Sequence, residues 1–142
     1  MNYIVISDSH GDFSNIELLL KKYPDYTFIH CGDFTKDLDK LIKNKIIFVR
    51  GNCDTEGELS KLISTEYGDF FITHGHEYDV KFQFERLYFK AASLDAKYIL
   101  FGHTHVPYVE EVNNRWFINP GSIRDSKTYV VIKDGVPKLY KI

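Results

Sequence analysis

Six short apolar runs, each ending in a polar turn of similar make-up, constrain this chain more than any other feature. Residues 3–6 run into "SDSHGD", 26–30 into "CGD", 46–49 into "RGNCD", 69–73 into "HGHE", 98–101 into "GHTH" and 116–118 into "NPGS". Short β-prone runs bounded by Gly, Asn and Asp read as buried strands. Between them lie helical patterns over 14–23, with a capping box from Ser14 to Glu17, and over 36–44, 57–63 and 80–96. Strands alternating with helices predict an α/β layered fold. The C-terminal third differs. Residues 106–120 and 128–142 each hold two β-prone runs around "NN" or "DG", the signature of hairpins, so antiparallel strands are expected there and the sheets are expected to be mixed. No linker, repeat or low-complexity stretch divides the chain, and residues 1–142 read as one domain.

Open α/β sheets bind ligands outside the carboxyl ends of their strands, where several loops converge. If the six exits lie on one edge, Asp8, His10, Asp33, Asn52, His74, His76, His103 and His105 share a pocket, and that set is an inventory of metal ligands. Each piece alone has a plainer reading: "DSH" suits a helix-capping turn, and "CGD" and "GNCD" suit glycine turns in which a polar side chain bonds its own backbone. Two histidine pairs at strand exits are harder to explain as turns, since four of the six histidines of the chain would be held there for no ligand. Independent turns have no reason to repeat at the same end of successive strands with metal-compatible side chains each time. His30, inside its strand, fails that position test and reads as a core or edge histidine. Cys31 and Cys53 read as reduced residues in tight turns, not a disulfide.

Charge narrows the partners. A formal net charge of −2, from 18 basic and 20 acidic residues, leaves no basic block to track nucleic acid. No stretch approaches the roughly 18 apolar residues of a membrane span, and the N-terminus lacks the pattern of a secretory signal, so no membrane contact and a cytoplasmic location are expected. A homo-oligomer is compatible with the sequence.

Taken in order, "DSHG", "GD", "GNCD", "HGH" and "GHTH" resemble the signature of the calcineurin-like metallophosphoesterases, and "NPGS" is similar to their small single-domain phosphodiesterase branch. The resemblance spans residues 3 to 123. It implies a four-layer α-β-β-α sandwich of two mixed sheets flanked by helices, with a two-metal site at the sheet edge. By similarity, Asp8, His10, Asp33 and His105 hold the first metal, and Asp33, Asn52, His74 and His103 the second, with Asp33 bridging. The implied activity is hydrolysis of a small phosphodiester by hydroxide generated between two divalent ions, with phosphomonoester hydrolysis on the same site as the alternative.

The chemistry fits those residue types. Two ions about 3.5 to 4 Å apart can hold both the attacking and the phosphoryl oxygens of an in-line displacement. A carboxylate is needed to bridge them, because a histidine turns only one nitrogen to the site. Two aspartates leave a pair of divalent ions with a positive excess that attracts a phosphate anion. Mixed nitrogen and oxygen ligands suit transition metals, manganese foremost, with nickel, iron, cobalt or zinc as alternatives. One position departs from the broader family. Many relatives carry a histidine after the asparagine of this loop, where this chain has Cys53, as its small branch does. A thiol is a poor general acid, which leaves protonation of the leaving group open. His76 is the nearest free histidine, for substrate contact or proton delivery, with support of His74 as its rival role. Asp54 either caps the helix expected after it or orients the "GNCD" loop, and Arg50 either reaches a phosphate or covers the sheet edge. The same fold also resembles a retromer subunit that works as a protein-interaction scaffold, but that relative has lost metal-site histidines, whereas all seven positions are filled here.

Overall fold

The computed structural model describes residues 1–142. Ten strands form two five-stranded sheets. The first sheet holds β1 (Tyr3–Ile6), β2 (Thr27–His30), β3 (Ile47–Phe48), β9 (Thr128–Lys133) and β10 (Val136–Lys141), in the order β10-β9-β1-β2-β3. The second holds β4 (Ser60–Thr65), β5 (Gly68–Thr73), β6 (Tyr98–Leu100), β7 (Tyr108–Val112) and β8 (Arg115–Asn119), in the order β4-β5-β6-β8-β7. In each sheet the three strands expected to exit into the polar turns run parallel: β1, β2 and β3 in one, β5, β6 and β8 in the other. Strands β4, β7, β9 and β10 pair antiparallel, which makes both sheets mixed.

The two-residue period of the strands sorts apolar side chains into three layers of core. Tyr3 and Val5 of β1 face Phe70 and Ile72 of β5 and Leu100 of β6 between the sheets. Their neighbours Ile4 and Ile6 point the other way, onto Ile16 and Leu19 of α1 (Ser14–Lys22) and Leu41 of α2 (Leu38–Lys43). Phe71, Ile99 and Phe117 likewise leave the second sheet to meet Leu87 and Ala91 of α3 (Glu85–Leu94). Alternating burial on both faces therefore yields a four-layer α-β-β-α sandwich. Both hairpins turn where expected, with Asn113, Asn114, Asp134 and Gly135 all at positive φ as two-residue turns between twisted strands require. Both cysteines are free thiols, Cys31 buried between the sheets and Cys53 exposed.

Three local expectations are corrected. Residues 57–63 do not form a helix: Ser60–Thr65 is strand β4, paired in full register with β5. Leu59, Leu62 and Ile63 satisfy a helical spacing, but the β-branched residues of "SKLIST" and a two-residue turn at Glu66 and Tyr67 let this segment complete the sheet. The capping box is absent. Ser14 is itself the first helical residue, and its amide and hydroxyl donate to Asp12 Oδ1 at 3.3 and 2.7 Å. In the 80–96 segment only Glu85–Leu94 is α-helical. The preceding residues are held in a turn by amides of Phe82 and Gln83 donating to the Asp79 carbonyl.

His30 proves to be a core histidine. It is fully buried, and its Nδ1 accepts from the Gly32 amide at 3.0 Å. The ring proton therefore sits on Nε2, which donates to Ser9 Oγ at 2.9 Å, and Ser9 Oγ donates to Asp37 Oδ2 at 2.8 Å. Burial holds its pKa down at about 4. The unfolded chain takes up a proton below about 6.5, whereas the folded chain refuses it until about 4, so this histidine withdraws stability as pH falls between those values. We expect urea titrations to show the stability difference between the parent and His30→Asn shrinking by about 2 kcal/mol from pH 7 to pH 5, with a smaller effect on metal content.

Candidate metal centre

All six exits meet at one edge because the two sheets are bonded to each other there. Between the sheets, His74 Nδ1 donates to the Cys31 carbonyl at 2.9 Å and the His103 amide donates to Asp8 Oδ2 at 3.2 Å, while within the second sheet the Gly102 amide donates to the His74 carbonyl at 3.0 Å. The "NPGS" exit bolts the rest: Asn119 donates to the Gly102 carbonyl at 3.0 Å and Thr104 Oγ1 at 2.9 Å, and Ser122 Oγ donates to the Asp8 carbonyl at 2.9 Å. Five of the seven expected ligands, Asp8, His10, Asp33, His103 and His105, lie in the left-handed backbone region, with φ between 47° and 73°. Such strain on non-glycine residues gathers where function demands a particular aim of the side chain.

The side chains converge. Asp8 Oδ1 lies 3.1 Å from His105 Nε2, 3.6 Å from His10 Nε2 and 3.8 Å from His74 Nε2. Asp33 Oδ2 lies 3.2 Å from His74 Nε2 and 3.7 Å from His10 Nε2. Three groups fit an ion: Asp8 with His10 and His105, Asp33 with His74 and His103, and His10 with Asp33 and Cys53. Asn52 sits exposed on the loop beside Cys53, whose amide donates to Asp33 Oδ1 at 2.9 Å.

Tautomers make this arrangement informative. The partners of His74 Nδ1 and His105 Nδ1 are a carbonyl and the Asp125 carboxylate, both acceptors, so in the neutral rings Nδ1 carries the proton and Nε2 presents a lone pair. Those lone pairs face carboxylate oxygens. Asp8 Oδ1 and His74 Nε2, both buried, find no hydrogen-bond partner. Lone pair against lone pair at this range is repulsive unless a cation, a proton or a metal ion, lies between. The residues therefore fit divalent ions. With protons as the only cations, the carboxylates raise the pKa of His74 against its burial, and the Asp8 hydrogen bond raises that of His105. In the same field, His10, His74 and His105 hold the Asp8 carboxyl well below the usual range despite its burial.

His76 heads the 3₁₀ turn His76–Tyr78, its ring 5.5 Å from His74 and 6.1 Å from His103. Its Nδ1 is buried without a partner. Burial, then the charge of His74, pushes its pKa down, so it is neutral at pH 7. Asp54 orients the loop and caps nothing beyond it: its carboxylate accepts from the amides of Gly51 at 2.8 Å, Asp33 at 2.7 Å and Thr35 at 2.6 Å. Sequence reasoning missed Asp125, which bonds His105 Nδ1 at 2.9 Å and pairs with Arg124 at 2.8 Å. No motif marks it. Asn119 and Ser122 had a signal in "NPGS", though the bonds they make could not be read from it.

The pattern of the calcineurin-like phosphoesterase superfamily domain matches residues 1–134, and the chain belongs to that superfamily. A probable metallophosphoesterase of Bacillus subtilis is 34% identical over 128 residues, 87% of this chain and 76% of its own length. A phosphodiesterase of Methanocaldococcus jannaschii is 35% identical over 143 residues, 82% of this chain and 81% of its own. The crystal structure of a conserved protein of Streptococcus pneumoniae, described as a predicted phosphoesterase, superposes with a TM-score of 0.83 at 27% identity, covering 99% of this chain and 97% of that one. No helix is long and apolar enough to cross a membrane.

Asp125 stabilises the protonated form of His105 alongside Asp8, so its removal has a defined sign. In the metal-free protein, Asp125→Asn is expected to move the His105 titration to lower pH by proton NMR, while His30, on the far side of β2, keeps its own.

Proposed function

We propose that the protein is a metal-dependent phosphodiesterase that hydrolyses a small phosphodiester at a two-metal centre. The observation that carries this reading is the pair of imidazole lone pairs, on His74 and His105, aimed at the carboxylates of Asp33 and Asp8. Asp8, His10, Asp33 and His105 would hold one ion and Asp33, Asn52, His74 and His103 the other. Bound there, two divalent transition metals would polarise the phosphoryl oxygens and acidify a water for in-line attack. Manganese suits the mixed nitrogen and oxygen donors, as do nickel, iron, cobalt and zinc.

The chain's own residues supply position and charge. Asp33, which would hold both ions, presents its carboxylate from a loop that Asp54 fixes through three strong backbone bonds. Asp125 keeps the proton of neutral His105 on Nδ1, which leaves Nε2 free to coordinate. His76 is neutral and carries an unpartnered nitrogen, which suits it to a hydrogen bond with the substrate and makes it a weak proton donor. Protonation of the leaving group falls to solvent in this reading. A complete set of ligand side chains, with orphaned polar atoms among them, favours an enzyme over a scaffold of the same fold.

Chelation is expected to abolish hydrolysis and a transition metal to restore it, in a panel of phosphodiesters and monoesters assayed with manganese, nickel, zinc and magnesium. Turnover that survives chelation would refute the mechanism, and a preference for monoesters would move the protein to the alternative substrate class. Asp33→Asn keeps the size of the side chain but removes a unit of charge and a carboxylate oxygen. It should remain folded, bind less metal per chain, and lose at least about a hundredfold in rate, some 2.7 kcal/mol of transition-state stabilisation. Cys53→Ser should stay within about tenfold of the parent, because the thiol is neither a strong acid nor one of the assigned ligands.

A further inference from the structure

Of the two thiols, Cys31 is buried between the sheets and Cys53 is exposed beside the metal centre. The Cys53 sulfur and one donor atom each from His10 and Asp33 all lie within 4.8 Å of one another. Tetrahedral coordination by nitrogen, oxygen and sulfur at about 2.0 to 2.3 Å places donor atoms about 3.3 to 3.8 Å apart. His10 Nε2 and Asp33 Oδ2, at 3.7 Å, already stand at that spacing. Only the sulfur has to draw in, by about 1 Å at most.

The loop that carries the thiol is preset. The Cys53 amide donates to Asp33 Oδ1 at 2.9 Å, and the Asp54 carboxylate accepts from the amides of Gly51 and Asp33 at 2.8 and 2.7 Å. These bonds fix the backbone at Cys53 to the carboxylate it would share an ion with. A second observation, independent of the thiol, points to a cation at the same place. Asp8 Oδ1, on a fully buried side chain, has no hydrogen-bond partner and lies 3.6 Å from His10 Nε2.

We propose that Cys53 is a further ligand of the metal centre, one that thiophilic ions such as cadmium engage and manganese leaves free, an inference that rests on the metal-centre reading above. Sulfur is a soft donor among nitrogen and oxygen, so it strengthens the hold on soft ions and adds nothing for a hard one. The ligand is the thiolate: on binding, the S–H proton passes to solvent, the sulfur lone pair bonds the ion, and no oxidation state changes. The thiol therefore sets which metals the centre prefers. This division also accounts for the small effect expected of Cys53→Ser on hydrolysis supported by manganese.

Titration of the chelated protein with cadmium and, separately, manganese tests this, read by ultraviolet difference spectra and by competition with a metal indicator. In the parent, cadmium should raise a thiolate-to-metal charge-transfer band. Cys53→Ser should abolish that band and weaken cadmium binding by at least about tenfold, since losing a direct ligand costs no less than losing a residue that supports one. Manganese affinity should stay within about threefold in the variant. Cadmium bound without the band, or a band that persists in Cys53→Ser, would overturn the sulfur ligand and leave the two-metal reading standing. An equal loss of manganese and cadmium affinity in the variant would overturn the discrimination between ions. Binding of neither ion by the parent would overturn both readings.

Discussion

Asp8 stands where the two sheets meet, and its two oxygens have different tasks. Oδ2 is bonded to the Ser7 hydroxyl and the His103 amide, which ties the end of β1 to the end of β6. Oδ1 is left for the centre, with three imidazole nitrogens within 3.8 Å and no hydrogen bond. Burying a carboxylate with half its valence unmet is costly unless cations complete it. The rest of the site depends on holding that one atom in place. The bonds from Ser122 and Asn119 lock the loops around it, and strained backbone aims the neighbouring side chains inward.

Three side chains of the centre are oriented by partners outside it. His74 leans on the Cys31 carbonyl, His105 on Asp125, and Asp33 on the Cys53 amide. The acceptors at the two histidines decide which nitrogen carries the proton, and therefore which one is free to coordinate. His30 shows the contrast within the same sheet. Its partners satisfy both ring nitrogens, so it stays neutral, structural and mute toward the metal centre.

Much of this architecture is legible in the sequence for a definite reason. A buried strand must be apolar and must end in a turn, so six exits with repeated polar composition announce both the parallel strands and the edge at which their loops gather. The hairpins at Asn113 and Asn114 and at Asp134 and Gly135 are equally legible, because few residues tolerate positive φ in succession. Where local signals serve two structures, the reading fails. Leu59, Leu62 and Ile63 fit a helix stripe or a strand edge, and pairing with β5, which lies outside the segment, makes the choice.

The sequence by itself determined the α/β class, the parallel strands and the donor types available at their ends, since these depend on period and on turn chemistry within a few residues. Only the tertiary structure decided which donors meet, which tautomers they hold and who supports them. Asp125 reaches His105 across 20 positions, and the His103 amide reaches Asp8 across 95. Contacts at such separations leave no local pattern, because they arise from the packing of one sheet on the other, and it is this packing that turns scattered turns into one site.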